Sequence, residues 1–114
     1  MCRILKMKDR ASANAINSPL SYQLGAVIFK GGKIISSGYN SGWVHAEHSA
    51  LKKLKPNRAK GADILVVRVN KTGLTMAKPC DNCQLRLRKN GIKRVFYTNA
   101  NGEMEIMKLR RNNR

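Results

Sequence analysis

Ala62-Asp63-Ile64-Leu65-Val66-Val67-Arg68-Val69 is an almost unbroken apolar, β-branched run. A strand with one wet face alternates polar and apolar side chains. A continuous run instead predicts a central strand buried on both faces, with other elements layered over each side.

Working upstream, residues 45–54 read as a helix with Ala46, Ala50, Leu51 and Leu54 at apolar positions before Pro56 stops it. Ahead of it, Gly38-Tyr39-Asn40-Ser41-Gly42 breaks the pattern. Residues 23–29 and 33–37 are short β-type runs around Lys30-Gly31-Gly32, a hairpin signal. Residues 6–16 are Ala-rich, lack Gly and Pro, and end at Asn17-Ser18-Pro19, which suits a helix.

Downstream, Asn70-Lys71-Thr72-Gly73 ends the central run and a loop is expected as far as Pro79. Residues 80–89 read as a second long helix capped by Asn90-Gly91, and 92–98 as another strand. Asn99-Ala100-Asn101-Gly102 is too short to hold a helix, so 92–98 and 103–109 should pair as an antiparallel hairpin. The order helix, strand, strand, helix, strand, helix, strand, strand predicts an α/β fold: a mixed five-stranded sheet sandwiched by helices. The 114 residues are expected to make one domain, 1–114, with 110–114 expected as a frayed basic tail.

Composition narrows the function classes. The longest apolar runs are far too short to span a membrane, and Met1-Cys2-Arg3-Ile4 opens no secretory leader, so a soluble cytoplasmic protein is expected. Three cysteines, two of them spaced C-x-x-C, do not make a disulfide framework, and in a reducing compartment such a pair favours metal. Cys2 is left over as a terminal bystander or small apolar filler. The formal charge of +17, from 23 Lys and Arg against 6 acids, attracts polyanions. The basic residues cluster at 52–60, 86–94 and 108–114, and such clusters serve equally as nucleic-acid contacts or as solvated faces. A core of this size leaves association into a homo-oligomer open.

Two stretches carry chemistry: Val44-His45-Ala46-Glu47-His48 and Lys78-Pro79-Cys80-Asp81-Asn82-Cys83. Cys80 and Cys83 are three positions apart at the start of a predicted helix and therefore share a face, where the helix N-terminus and Lys78 favour thiolates. His45 offers a third ligand from the start of the other helix. Three protein ligands leave the fourth position of a tetrahedral zinc free for chemistry, and Glu47 beside them can carry a proton. An alternative reading closes the site structurally with His45, His48, Cys80 and Cys83, because positions i and i+3 lie on one helix face.

His45-Ala46-Glu47 followed after a strand by Pro79-Cys80-Asp81-Asn82-Cys83 resembles the H-x-E and P-C-x-x-C motifs of the zinc-dependent cytidine deaminase superfamily. The resemblance covers most of the chain, including the order of elements, and implies a cytidine deaminase-like three-layer sandwich. It implies zinc as cofactor, His45, Cys80 and Cys83 as its ligands, and Glu47 as the proton shuttle. Ala46 matches the small residue that lets the base approach. Gly38-Tyr39-Asn40 resembles the family's G-x-N segment, which implies that Asn40 bonds the substrate sugar or base. An Asn in a Gly-flanked loop also commonly satisfies its own turn. Trp43 can stack on a base or pack against the sheet, and His48 is expected on the helix surface or behind the ligands.

The function so implied is hydrolytic deamination of a nucleobase, cytosine to uracil, in a nucleotide, a nucleoside or single-stranded nucleic acid. The His-Ala-Glu motif is shared with tRNA adenosine deaminases and deoxycytidylate deaminases. The short 99–102 connection is more like that of nucleoside cytidine deaminases and compact toxin-related deaminases, although nucleoside enzymes commonly use Cys where His45 stands. Two alternatives follow: a deaminase of adenosine in tRNA, and a nucleic-acid-binding module with a structural zinc in which Glu47 is idle.

Overall fold

The computed structural model describes residues 2–42 and 44–109. In chain order the elements are α1 (Cys2–Ala15), β1 (Gln23–Lys30), β2 (Lys33–Tyr39), α2 (Ala46–Lys52), β3 (Asp63–Asn70), β4 (Gly73–Thr75), α3 (Asp81–Lys89), β5 (Arg94–Thr98) and β6 (Met104–Lys108). No helix of the described residues is long and apolar enough to cross a membrane.

The central run is β3, and its residues divide by parity. Ile64 and Val66 pack with Ala50, Leu51 and Leu87 of α2 and α3. Leu65 and Val67 pack on the other face with Met7, Ala11 and Ala15 of α1. All four strand residues are fully buried, which is why the sequence shows no polar alternation there. β1 repeats the device, with Ala26 and Ile28 facing one layer and Val27 and Phe29 the other. The result is the expected three-layer sandwich, α1 against one face and α2 with α3 against the other.

The sheet runs β2-β1-β3-β5-β6, and β3–β5 is its parallel pair, reached through α3. The last two long strands, β5 and β6, are antiparallel as expected, with Phe96 opposite Ile106. The sheet differs from expectation in having a sixth strand. Pairing between β3 and β5 reaches only as far as Val66 and Tyr97, so the end of that edge of β3 would otherwise lack a partner. β4 folds back to fill it, with Thr75 opposite Arg68. Asn70 closes the turn by accepting from both the N–H and the hydroxyl of Thr72, each at 2.9 Å. A strand of three residues is too short to show a period, so the sequence read it as loop.

Boundaries moved elsewhere as well. Gly38 does not break β2 but lies within it, where α2 crosses. A Cβ there would sit 2.6 Å from the backbone nitrogen of Ala50. Ser36 Oγ donates to the Ala50 carbonyl at 2.7 Å and fixes the same crossing. Gly25 plays the equivalent part for α1, because a Cβ there would collide with the Ala11 carbonyl oxygen. The helix α1 begins earlier than position 6, and α2 ends at Lys52 rather than 54.

Candidate active site

Both motif stretches end in helix starts. After β2, a tight turn in which Ser41 and Val44 exchange backbone hydrogen bonds (2.8 and 3.0 Å) delivers His45 as the N-cap of α2. Cys80 is the N-cap of α3. N-cap side chains ordinarily accept a hydrogen bond from the helix's first free N–H groups. Neither His45 nor Cys80 does so, which leaves both for another partner. Cys83 follows one turn into α3, on the face turned toward α2.

The ligand atoms of His45, Cys80 and Cys83 lie within 4.8 Å of one another. In tetrahedral zinc coordination, Zn–S of about 2.3 Å and Zn–N of about 2.0 Å set ligand-to-ligand edges of roughly 3.5–3.8 Å. With His45 Nδ1 and Cys83 Sγ 3.1 Å apart and no pair beyond 4.8 Å, the three donors bracket those edges, and small side-chain shifts admit zinc. Their chemistry, two thiols and one imidazole, fits that ion as well. Cys83 is buried, and its thiol is pushed up to about 12, by burial first and then by the neighbouring Glu47 carboxylate.

His48 is not part of this group. Its Nδ1 accepts from Arg86 Nη1 at 2.8 Å, so the four-ligand closed arrangement is not assembled. Burial, followed by the Arg86 charge, holds the His48 imidazole below its ordinary range.

A cavity of about 560 Å³ opens in front of the cluster, lined among others by His45, Cys80, Ala46, Glu47 and Asn40. Glu47 is 4% exposed, and burial raises its carboxyl above the ordinary range against the lowering effects of its own backbone N–H and of His45. Ala46, 1% exposed, keeps the cavity wall low beside it. Asn40 Oδ1 accepts from the N–H of Leu24, and its Nδ2 donates to the Tyr22 carbonyl, both at 2.9 Å. These bonds leave one N–H and one lone pair of the amide for a ligand. Trp43 lies outside the described residues.

The sequence reading passed over Arg68 of β3, which lines the same cavity. Its Nε is buried without a hydrogen-bond partner, and its guanidinium stands 5.7 Å from the centre of the Tyr22 ring. The available signal was one cation in an otherwise apolar central strand. Lys78, beside Pro79, adds a second cation to the lining.

The model of a family described as the cytidine and deoxycytidylate deaminase zinc-binding region matches residues 2–99. Among solved structures, cytidine deaminase from Burkholderia pseudomallei is similar at 20% identity and a TM-score of 0.72, with 92% of this chain and 91% of that one covered. The apo dCMP deaminase of cyanophage S-TIM5 is similar at 22% identity and a TM-score of 0.66, covering 87% and 83%. A third likeness, at 24% identity and a TM-score of 0.63, is to the diaminohydroxyphosphoribosylaminopyrimidine deaminase/5-amino-6-(5-phosphoribosylamino)uracil reductase of Thermotoga maritima. It covers 86% of this chain but 30% of that one. No curated protein matches the chain. At these identities the structural likenesses speak to the fold.

Proposed function

Because the chain belongs to the cytidine and deoxycytidylate deaminase zinc-binding family, we propose that it converts cytosine to uracil in a phosphate-bearing substrate, a nucleotide or single-stranded nucleic acid. The observation that carries the proposal is the juxtaposition, in one open cavity, of a buried Glu47 with His45 and Cys80, two members of a three-donor zinc-type cluster that Cys83 completes.

His45, Cys80 and Cys83 would hold the metal, and zinc when bound supplies Lewis-acid activation of a water. The remaining work falls to the chain. Glu47 would take the proton released as the C4–O bond forms and deliver it to the ring nitrogen, then take the proton of the new C4 hydroxyl and pass it to the amino group as C4=O forms, the C4–N bond breaks and ammonia leaves. A buried carboxyl with an elevated proton affinity suits a group that must both accept and return a proton. Ala46 lets the base approach, and the spare N–H and lone pair of Asn40 are available to the sugar or base edge. Arg68 and Lys78 support the phosphate-bearing class, since both cations line the cavity and a neutral nucleoside offers them no charge to pair with.

Ammonia release should be measured with the zinc-loaded chain on cytidine, deoxycytidine, their monophosphates, single-stranded DNA and RNA, and tRNA. Release from cytosine substrates carrying phosphate supports the reading. Release only from adenosine in tRNA would replace it with the tRNA-deaminase reading, and no release from any substrate would sink it.

A further inference from the structure

Three concavities on this molecule adjoin in series, each sharing lining residues with the next. The metal cavity shares Val44, His45 and Cys80 with a smaller hollow that Cys83 and Arg86 also line. That hollow shares His48 and Arg86 with a third, which lies in the crease between α2 and α3. α2 has seven residues, so the crease carries the path about 10 Å away from His45 along that helix.

The path is cationic. Arg86 stands at the junction, with one guanidinium nitrogen tied to His48, and Lys52 and Lys55 line the crease beyond it. No carboxylate lines either hollow. Among the described residues the ion pair present is Arg94 with Asp63, on another part of the surface, so Arg86, Lys52 and Lys55 carry no salt bridge. Lys53, by contrast, is spent on the Ser37 carbonyl at 2.7 Å. The crease also has an apolar floor of Leu51, Leu54, Pro56 and Ala59.

We propose that this crease is the track for the phosphate backbone of a single-stranded polynucleotide whose target base enters the metal cavity. The proposal rests on the deaminase reading above and narrows its substrate to a polymer. A monomer fills the metal cavity and leaves the crease unused. A ligand with phosphates in series reaches from the cluster to Arg86, Lys52 and Lys55, while its sugars and bases lie on the apolar floor. The concave shape suits a strand, whereas a bilayer surface meets a flat or convex one.

The test measures anisotropy of a labelled single-stranded oligonucleotide with the zinc-loaded protein across a salt series. Its proteins are the native chain, a Lys52→Gln/Lys55→Gln variant and a control, Lys93→Gln/Lys108→Gln, drawn from a second basic groove. Each lost phosphate contact on a single strand should flatten the plot of log affinity against log salt by about 0.7. The track variant should therefore lose about 1.4 of slope and about tenfold or more in affinity at low salt. Its kcat/KM for the oligonucleotide should fall in step while that for cytidine stays unchanged. Equal losses in the control, or an unchanged slope in the track variant, would overturn the track. Ammonia release from cytidine without any oligonucleotide binding overturns the track and leaves the deaminase reading standing. Binding that depends on Lys52 and Lys55 without ammonia release from any base supports the track and overturns the deaminase reading.

Discussion

Nδ1 of His45 lies 3.1 Å from Sγ of Cys83, although the two residues are 38 positions apart in the chain. The contact exists because the N-termini of α2 and α3 meet on the same face of the sheet. β3 separates the two motifs in sequence, and one of its faces, through Ile64 and Val66, seats both helices that reunite them.

That meeting makes metal binding a proton-releasing event. With its thiol at about 12, Cys83 is protonated at neutral pH in the metal-free protein, and a zinc ligand must be the thiolate. Apparent zinc affinity should therefore rise with pH, about tenfold per pH unit for each proton displaced. Chelator competition between pH 6 and 8 checks this. A flat profile would mean that the thiols are already ionised. Cys83→Ser should lose zinc at every pH.

Glu47 should separate chemistry from assembly. Replacing it by Gln preserves shape and removes a buried acid, so Glu47→Gln should keep zinc content and thermal stability. Ammonia release should fall by about 10²–10⁴, the usual contribution of a positioned acid-base group. Zinc loss in this variant would instead make Glu47 part of the metal's support.

The two crossing glycines should behave differently. Gly38→Ala drives a Cβ against the Ala50 backbone, and Gly25→Ala drives one against the Ala11 carbonyl. Overpacking of this kind costs about 1–3 kcal/mol, occasionally more. Of the two helices that these glycines admit, α1 and α2, only α2 carries a metal ligand at its start. Gly38→Ala should therefore lower both melting temperature and zinc affinity, whereas Gly25→Ala should lower melting temperature with zinc affinity retained until unfolding. Equal loss of zinc affinity in both variants would show that the site does not depend on this local seating.

How much of this was legible in the sequence follows from the range of each signal. The double-sided burial of β3 shows as a composition, and the ligands as two short motifs, so both could be read directly. β4 could not, because its reason for forming is the stretch of β3 edge that β5 does not reach, a fact about length in three dimensions. Gly38 looked like a breaker because a glycine that admits a helix is indistinguishable in sequence from one that makes a turn. Asn40 was read by resemblance as a substrate contact. Half of its amide's hydrogen-bonding capacity ties down Tyr22 and Leu24, a role that only long-range pairing reveals.

Arg68 gives the most direct test of the substrate's charge. Its Nε is buried without a partner, and its guanidinium lies against Tyr22 in the metal cavity. An anionic ligand would give that group the partner it lacks, and a hydrogen bond to a charged group is worth about 1.5–3 kcal/mol. Arg68→Met keeps most of the apolar stem while deleting the charge. It should raise KM for cytidine monophosphate by about ten- to a hundredfold and leave cytidine nearly unchanged. Stability should change little, because Arg68 is half-buried and the charge deleted has no salt-bridge partner among the described residues. If KM for the nucleoside and the monophosphate rose together, Arg68 would be shaping the cavity rather than reading a phosphate. If melting temperature dropped instead, the guanidinium would be holding β3 to the Tyr22 segment.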